Sequence, residues 1–443
     1  MVVGSRGYVF TLITAFLVMI TLSLILFSTQ MFSPSFQDSS NQMSLNELHY
    51  FVESVKGDAG RAIAISASRA ATYSIDHTIT TNETYAGYEM RNCTDFTYPT
   101  PGAEAALSEL IICGRLEGSK KPSQDIEKFM ENNTLLDWLG RFQGNETPSS
   151  QYNVSVRFKN MSIALYDSWH LLIVSQFDFV VWDTQTGNRY TDYNVPVTSV
   201  VDVRPMEDTL PYLHYSMPAT LRPLTQCLPS KLVNGSVLDD WIDSGCYQQS
   251  SRKYAAPSFL DRLEGRQNLS QKFIDRSAAL LDVIGYPTQD IGIEGFMNLE
   301  LLNRYNVSVN GNLSQIDYMY WNNVATTCFV DGMVRHPDFR IDAGHAVKYA
   351  VKGLDCVVTL DNLSGTYYYS PNSIIIPVDA SITFVERSGT RHELYSIPVV
   401  SDNRVLYPYS ILKWKFNQTG DYYLECVDHG ETMLLHVTNG TMN

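Results

Sequence analysis

The sequence predicts an α+β multidomain chain: an N-terminal transmembrane helix, a mixed α/β extracellular body and a C-terminal antiparallel β-sandwich. Three observations predict it. Tyr8 to Phe27 is a run of 20 residues without a charge, long enough to cross a bilayer as a helix. Thirteen Asn-x-Ser/Thr sequons all lie beyond that run. Several segments after about residue 150 alternate apolar and polar residues with the period of half-buried strands. The chain has 443 residues, 44% of them hydrophobic, enough for two or three packed domains. The divisions read from composition are an anchor at 1–32, a helix-rich stalk at 33–150, a β-rich body at 151–350 and the sandwich at 351–443.

At the N-terminus, Arg6 precedes the apolar run and no Lys or Arg follows until Lys56. The positive-inside bias therefore leaves the short N-terminus in the cytoplasm and the bulk of the chain outside a cell membrane crossed once. No small-x-small cleavage site follows, so the helix is read as retained. The stretch Ser5-Arg6-Gly7-Tyr8-Val9-Phe10-Thr11 resembles the start of archaeal pilin-like precursors, which implies cleavage after Gly7. Leu12 stands where those precursors carry a glutamate, so a simple anchor is preferred to a filament subunit.

The sequons are at Asn82, Asn92, Asn132, Asn145, Asn153, Asn160, Asn234, Asn268, Asn306, Asn312, Asn362, Asn417 and Asn439, half of all the asparagines. They point to a sugared extracellular surface. The formal net charge of −15 argues against nucleic acid and against an anionic membrane surface as partners.

After a polar spacer at Ser33 to Gln42, Ser44-Leu45-Asn46-Glu47 reads as a capping box that starts a helix. Leu48, Val52, Val55, Ala59, Ile63 and Ala67 give that helix one apolar stripe, and Gly57 and Gly60 leave room for close packing. Residues from about Ala103 to Phe142 are mostly helical in pattern and end at Gly144-Asn145. Strands are expected at Tyr152 to Phe158, Ser162 to Leu165, Leu171 to Trp182 and Tyr190 to Val203, with Thr186-Gly187-Asn188 as a hairpin-type turn. Asp167 and His170 flank Trp169 as structural caps.

In the middle of the chain, Asp261, Glu264, Glu294 and Asp317 have no spacing that makes a general acid/base pair, and are read as solvated or salt-bridged. His336 and His345, with Asp338 and Asp342 between them, are a weak candidate for a surface metal site. There is no nucleophile elbow, phosphate-cradling glycine loop or His-Glu-x-x-His helix. An electron-transfer or structural role is therefore expected rather than an enzyme. Phrases at 256–265, 292–299 and 314–320 resemble uncharacterised archaeal membrane-anchored surface proteins, a likeness that implies no activity.

The chemistry concentrates near the C-terminus. In Gly420-Asp-Tyr-Tyr-Leu-Glu-Cys426 the residues Tyr422, Leu424 and Cys426 alternate, and a turn through Asp428-His429-Gly430 leads to Met433-Leu-Leu-His-Val437. One loop thus offers a thiol, an imidazole and a thioether, and His392 stands 34 residues before the cysteine. Two imidazoles, a thiolate and a weak thioether are the ligand set of a trigonal blue-copper site.

Gly420, Tyr422, Leu424, Cys426, His429 and Met433 fall on the pattern of the last strands of cupredoxins, which this region resembles. Tyr369 to Phe384 is similar to that family's opening strands. The resemblance implies a cupredoxin-like sandwich with mononuclear copper: His392, Cys426 and His429 as equatorial ligands and Met433 as the axial one. Leu434-Leu435 stand where the family has a glycine, which leaves open that Met433 begins a core strand and that Glu431 supplies an oxygen ligand. The partners implied are a lipid bilayer, through the N-terminal helix, and a redox partner protein or surface and pilus subunits.

Seven cysteines leave one unmatched. Neighbour pairing suggests Cys93–Cys113, Cys227–Cys246 and Cys328–Cys356, which leaves Cys426 as a thiol. The competing arrangement is a Cys356–Cys426 inter-sheet disulfide of immunoglobulin type, in a sandwich without metal.

Overall fold

The computed structural model describes residues 6–91, 94–119, 128–143, 151–215, 223–230, 233–399 and 404–439; in the first helix, side chains are described for 13–28 and from 43 onward. The molecule is mixed α/β with several sheets. Two compact units are built from interleaved segments. One takes Met1–Ile65, Asn132–Met161 and Val174–Ser199; the other takes Ser66–Glu131, Ser162–Ile173 and Val200–Asn443.

Helix α1 (Arg6–Thr81) is unbroken. This corrects the expected spacer and the fresh start at Ser44. Instead of capping a helix, the Ser44 hydroxyl donates to the Asp183 carboxylate at 3.3 Å. The predicted stripe Leu48, Val52, Val55, Ala59, Ile63 and Ala67 is buried throughout. The Gly60 carbonyl accepts from the Ser199 hydroxyl at 2.7 Å. Further up, Ile13, Phe16, Leu17, Val18, Met19, Leu22, Leu24, Ile25, Leu26 and Phe27 are all exposed. Among the described residues no helix is long and apolar enough to cross a membrane. The side chains of Tyr8 to Leu12, which open the predicted span, and those around the expected cleavage point at Gly7 are outside the described ones.

A three-stranded sheet in the order β1 (Tyr152–Leu165), β2 (His170–Asp183), β3 (Arg189–Asp202) follows the predicted pattern, with two expected strands fused into β1. Asp167 and His170 behave as caps: one carboxylate oxygen accepts from the Trp169 amide at 2.7 Å and faces the His170 ring at 2.8 Å.

In the second unit, helix α2 (Ala103–Cys113) is buried along most of its length. Cys113 is disulfide-bonded, and its expected partner Cys93 lies outside the described residues. Strands β4 (Tyr247–Ser250) and β5 (Gly292–Gly295) form a small antiparallel sheet. The four midchain carboxylates are buried, and of the two readings, solvated or salt-bridged, the second holds for Glu264, Glu294 and Asp317. For Asp317 and Glu294 the counter-charges arrive from distant segments. Arg262, itself fully buried, donates to Asp208 at 2.6 Å, to Asp317 at 2.8 Å and to the Ile293 carbonyl at 2.6 Å. Glu294 meets Lys348 at 2.6 Å, the Tyr349 hydroxyl, and the His345 ring at 3.4 Å. Asp261 closes a capping box with Ser258, and Glu264 pairs with Arg266 at 2.7 Å. His336 and His345 do not share a site: the first faces Asp243 at 2.7 Å and the second Asp342 at 2.8 Å.

The sandwich consists of two five-stranded sheets. One holds β6 (Cys328–Val330), β7 (Leu354–Leu363), β8 (Thr366–Ser370), β10 (Ser381–Glu386) and β13 (Ile411–Lys415); the other holds β9 (Ser373–Pro377), β11 (His392–Ile397), β12 (Arg404–Leu406), β14 (Gly420–Cys426) and β15 (Thr432–Thr438). The expectation of a purely antiparallel sandwich is corrected, because β10 runs parallel to β7 and β15 parallel to β9. Sheet one also takes β6 from the segment before Val351, locked by the Cys328–Cys356 disulfide between directly paired residues.

Alternation sets the inner faces. Val358, Leu360, Ile382, Phe384 and Trp414 from one sheet and Ile376, Leu394, Leu424, Leu435 and Val437 from the other share one buried core. The same core continues into Val233, Trp241, Phe296 and Tyr349, so the sandwich is packed against the helical body that precedes it.

Candidate metal centre

The site lies at one end of the sandwich and follows from strand register. Leu394 of β11 pairs with Cys426 of β14. His392, two residues before Leu394, therefore faces inward on the same side as the cysteine, and both are fully buried. Between β14 and β15 the chain turns tightly: the Gly430 amide donates to the Cys426 carbonyl at 2.8 Å, and the Cys426 amide to the Glu431 carbonyl at 3.0 Å. Gly430 has a φ of 78°, the left-handed region that glycine adopts without strain. Arg391 holds the loop from outside through Asp428 at 2.9 Å.

This geometry brings His392, Cys426, His429 and Glu431 together, each with a donor atom within 4.8 Å of the others. The Cys426 Sγ lies 3.4 Å from His392 Nδ1 and 3.6 Å from His429 Nδ1. Glu431 Oε1 lies 2.8 Å from His392 Nδ1, while its Oε2 is buried without a hydrogen-bond partner. A buried carboxylate oxygen left without a donor is costly unless a cation or water meets it.

Met433 is placed differently. It opens the inward face of β15, pairs with Leu424 and is buried in the core between Leu424 and Leu435 positions. The hairpin register puts it one step away from the Cys426 end of the strand. Met433 thus opens the buried face of β15, and Glu431 sets a carboxylate oxygen beside His392.

Cys426 is the free cysteine among the described residues, with Cys227–Cys246 and Cys328–Cys356 paired as neighbour spacing suggests. The Cys356–Cys426 bridge is thereby excluded. Burial pushes the Cys426 thiol up to about 11, with backbone donors from His429 and Asp428 pulling against it and the Glu431 carboxylate adding to the rise.

No protein-family profile and no curated protein matches this chain. Among solved structures it is similar to a purple cupredoxin from Nitrosopumilus maritimus, at 22% identity, covering 18% of this chain and 98% of that one, with a TM-score of 0.17. It is also similar to oxidized plastocyanin from Dryopteris crassirhizoma, at 18% identity over 19% of this chain and 100% of that one, TM-score 0.17. A third is pseudoazurin from Methylobacterium extorquens, at 21% identity over 19% and 74%, TM-score 0.17.

Residues that the sequence did not single out complete the surroundings. The Tyr367 ring packs on His429 with centroids 4.0 Å apart and on His392 at 5.5 Å, edge to face. Ser388 and Thr390 place their hydroxyl oxygens 2.9 and 3.0 Å from His392 Nε2. Behind them Glu386 is buried at the end of β10. Burial resists its ionisation, and donors from Ser388 and from the Tyr409 and Thr390 amides overcome that resistance, holding its carboxyl below the usual value. The available signal was the run Glu386-Arg-Ser-Gly-Thr-Arg-His392, which sets a carboxylate and two hydroxyls just ahead of the histidine.

The donor set fits a metal ion of borderline character. Thiolate and imidazole suit copper and zinc, and a carboxylate is compatible with either.

Proposed function

We propose that this chain is a membrane-anchored, N-glycosylated cell-surface protein whose sandwich holds a single copper ion for one-electron transfer. The observation that carries the metal reading is the convergence of His392, Cys426, His429 and Glu431 on one point, with a Glu431 oxygen buried and unmet. Copper at this place supplies a one-electron couple. The protein's own groups hold and position it. One thiolate and one carboxylate give two anionic donors, which matches the charge of a divalent ion. His392 and Cys426 sit on strands of a packed core, a rigid support that limits ligand movement. His429 is exposed on the loop and is the group of the four that a redox partner protein can approach.

The anchor reading is supported by the exposed apolar side chains from Ile13 to Phe27. A helix that is apolar on every side belongs in an apolar environment. The sugared surface is supported by the exposure of each of the eleven described sequon asparagines.

The test is metal content. Full-length protein loaded with copper and dialysed should retain one ion per chain, and Cys426→Ser and His392→Ala should retain none. A wild-type protein that retains no metal leaves a surface-structural module, and one that takes zinc and refuses copper replaces electron transfer with a structural metal.

A further inference from the structure

A cavity in the second unit has one of the sequon asparagines, Asn312, in its lining. Its volume is about 450 Å³, within the range of roughly 300–1,000 Å³ that small-molecule sites occupy. One wall is the short helix Leu299–Arg304 with the loop that follows it, and the other is the stretch 335–340. Gln315 is buried between them and holds the second wall: its backbone amide donates to the Arg340 carbonyl at 2.8 Å and its side-chain amide to the Asp338 carbonyl at 3.1 Å. The sequon is fixed through its backbone. The Asn312 N–H donates to the Asn310 side chain at 3.0 Å, and the Asn312 carbonyl accepts from the Thr326 amide at 3.0 Å.

The lining is polar and unengaged. Among the described residues, no hydrogen bond or ion pair holds the side chains of Asn303, Asn312 or Asp338. The Arg340 guanidinium lies over the Phe329 ring, 5.1 Å from its centroid, and has no carboxylate partner among the described residues. Glu300, Arg335 and His336 are already paired, with Arg304, Asp240 and Asp243 respectively. One free carboxylate and one free guanidinium cancel, so the cavity asks for a neutral ligand that both donates and accepts hydrogen bonds. Val309, 38% exposed, adds an apolar contact. A neutral sugar, with hydroxyls at its edge and C–H groups on its face, has this chemistry.

We propose that the cavity seats the first sugars of an N-linked glycan on Asn312, clamping the segment 299–312 to the segment 335–340. This rests on the N-glycosylation reading above. Attachment makes the contact intramolecular, so a few hydrogen bonds suffice to keep the sugar in place.

The experiment combines glycopeptide mapping with hydrogen-exchange mass spectrometry on full-length glycosylated protein. Wild type is compared with Asn312→Gln, which removes the sugar, and with the pair Asn303→Ala and Asp338→Ala, which keeps the sugar and removes its contacts. Both positions of the pair are exposed, so the fold is kept. Asn306→Gln is the control, because that sequon lies outside the cavity lining. Mapping should find Asn312 occupied. Peptides covering 299–312 and 335–340 should exchange about tenfold faster in Asn312→Gln and in the paired variant, the effect of one or two lost hydrogen bonds. Asn306→Gln should match wild type. A bare Asn312 with other sequons occupied overturns the seat alone, and so does unchanged exchange in Asn312→Gln. Faster exchange in Asn312→Gln but not in the paired variant marks a sugar that covers the surface without being seated, and also overturns it. Bare asparagine at every sequon overturns the glycosylation reading and the seat together.

Discussion

Glu431 Oε1 lies 2.8 Å from Nδ1 of His392, across the turn that joins the last two strands. This pairing sets a carboxylate beside an imidazole of the candidate site. Glu431→Gln removes an anionic donor while keeping shape. Copper affinity should drop about 100-fold or more, beyond the cost of an outer-shell change, and the reduction potential should rise because the oxidised ion loses a balancing charge. Affinity measured by competition with a chelator, and potential by voltammetry, check this.

Met433→Leu should behave in the opposite way. Met433 is core packing opposite Leu424, and a volume-conserving swap there costs less than about 1.5 kcal/mol. The optical spectrum of the copper-loaded variant should match wild type. A large change in its thiolate band would make Met433 a ligand.

The loop motif was legible because Cys426, His429 and Met433 lie close in sequence, and because an odd cysteine count isolates one thiol. The place of Glu431 beside His392 depends on register. A turn that pairs Leu424 with Met433 sends Glu431 to the Cys426 end, and spacing alone does not fix that register. The sandwich was legible through period-two alternation in Tyr422, Leu424 and Cys426. Its parallel pairings and the recruitment of Cys328–Val330 were not, since both depend on long crossovers. For the midchain carboxylates the sequence left solvated and salt-bridged open, because some partners are far away in sequence: Asp317 is paired with Arg262, and Glu294 with His345 and Lys348, only once the chain is folded.

That buried network gives a stability prediction. Arg262→Ala leaves Asp208 and Asp317 buried without their cation, and breaking a buried pair in this way costs about 3–5 kcal/mol. The urea midpoint of full-length protein should fall accordingly. A shift within error of wild type would mean that the two carboxylates find other donors.

The Glu294–His345 pair predicts a pH window. Burial opposes charge on both groups. Attraction to Glu294 and Asp342 prevails at His345, which is pushed up from 6.5 to about 9. Attraction to His345 and Lys348 prevails at Glu294, which is held below its ordinary 4.5. The His345 contribution is complete below pH 6.5 and is lost as pH rises through about 9; the Glu294 contribution is complete above pH 4.5 and is lost as pH falls below it. Burial lowers Lys348, which works against the alkaline loss. Urea unfolding of wild type against His345→Gln isolates the histidine: the variant should lack the decline between pH 6.5 and 9.

The free thiol predicts a labelling pattern. Unfolded, unreduced protein should carry one alkylated cysteine, Cys426, and native protein should react slowly because Cys426 is fully buried. Peptide mapping that finds Cys426 in a disulfide would contradict the assigned pairing.

The most direct measurement is a copper titration of full-length protein followed by visible absorption and electron paramagnetic resonance. The account predicts an intense thiolate-to-copper band that saturates at one equivalent and disappears in Cys426→Ser. A colourless protein with no stoichiometric copper signal would contradict it.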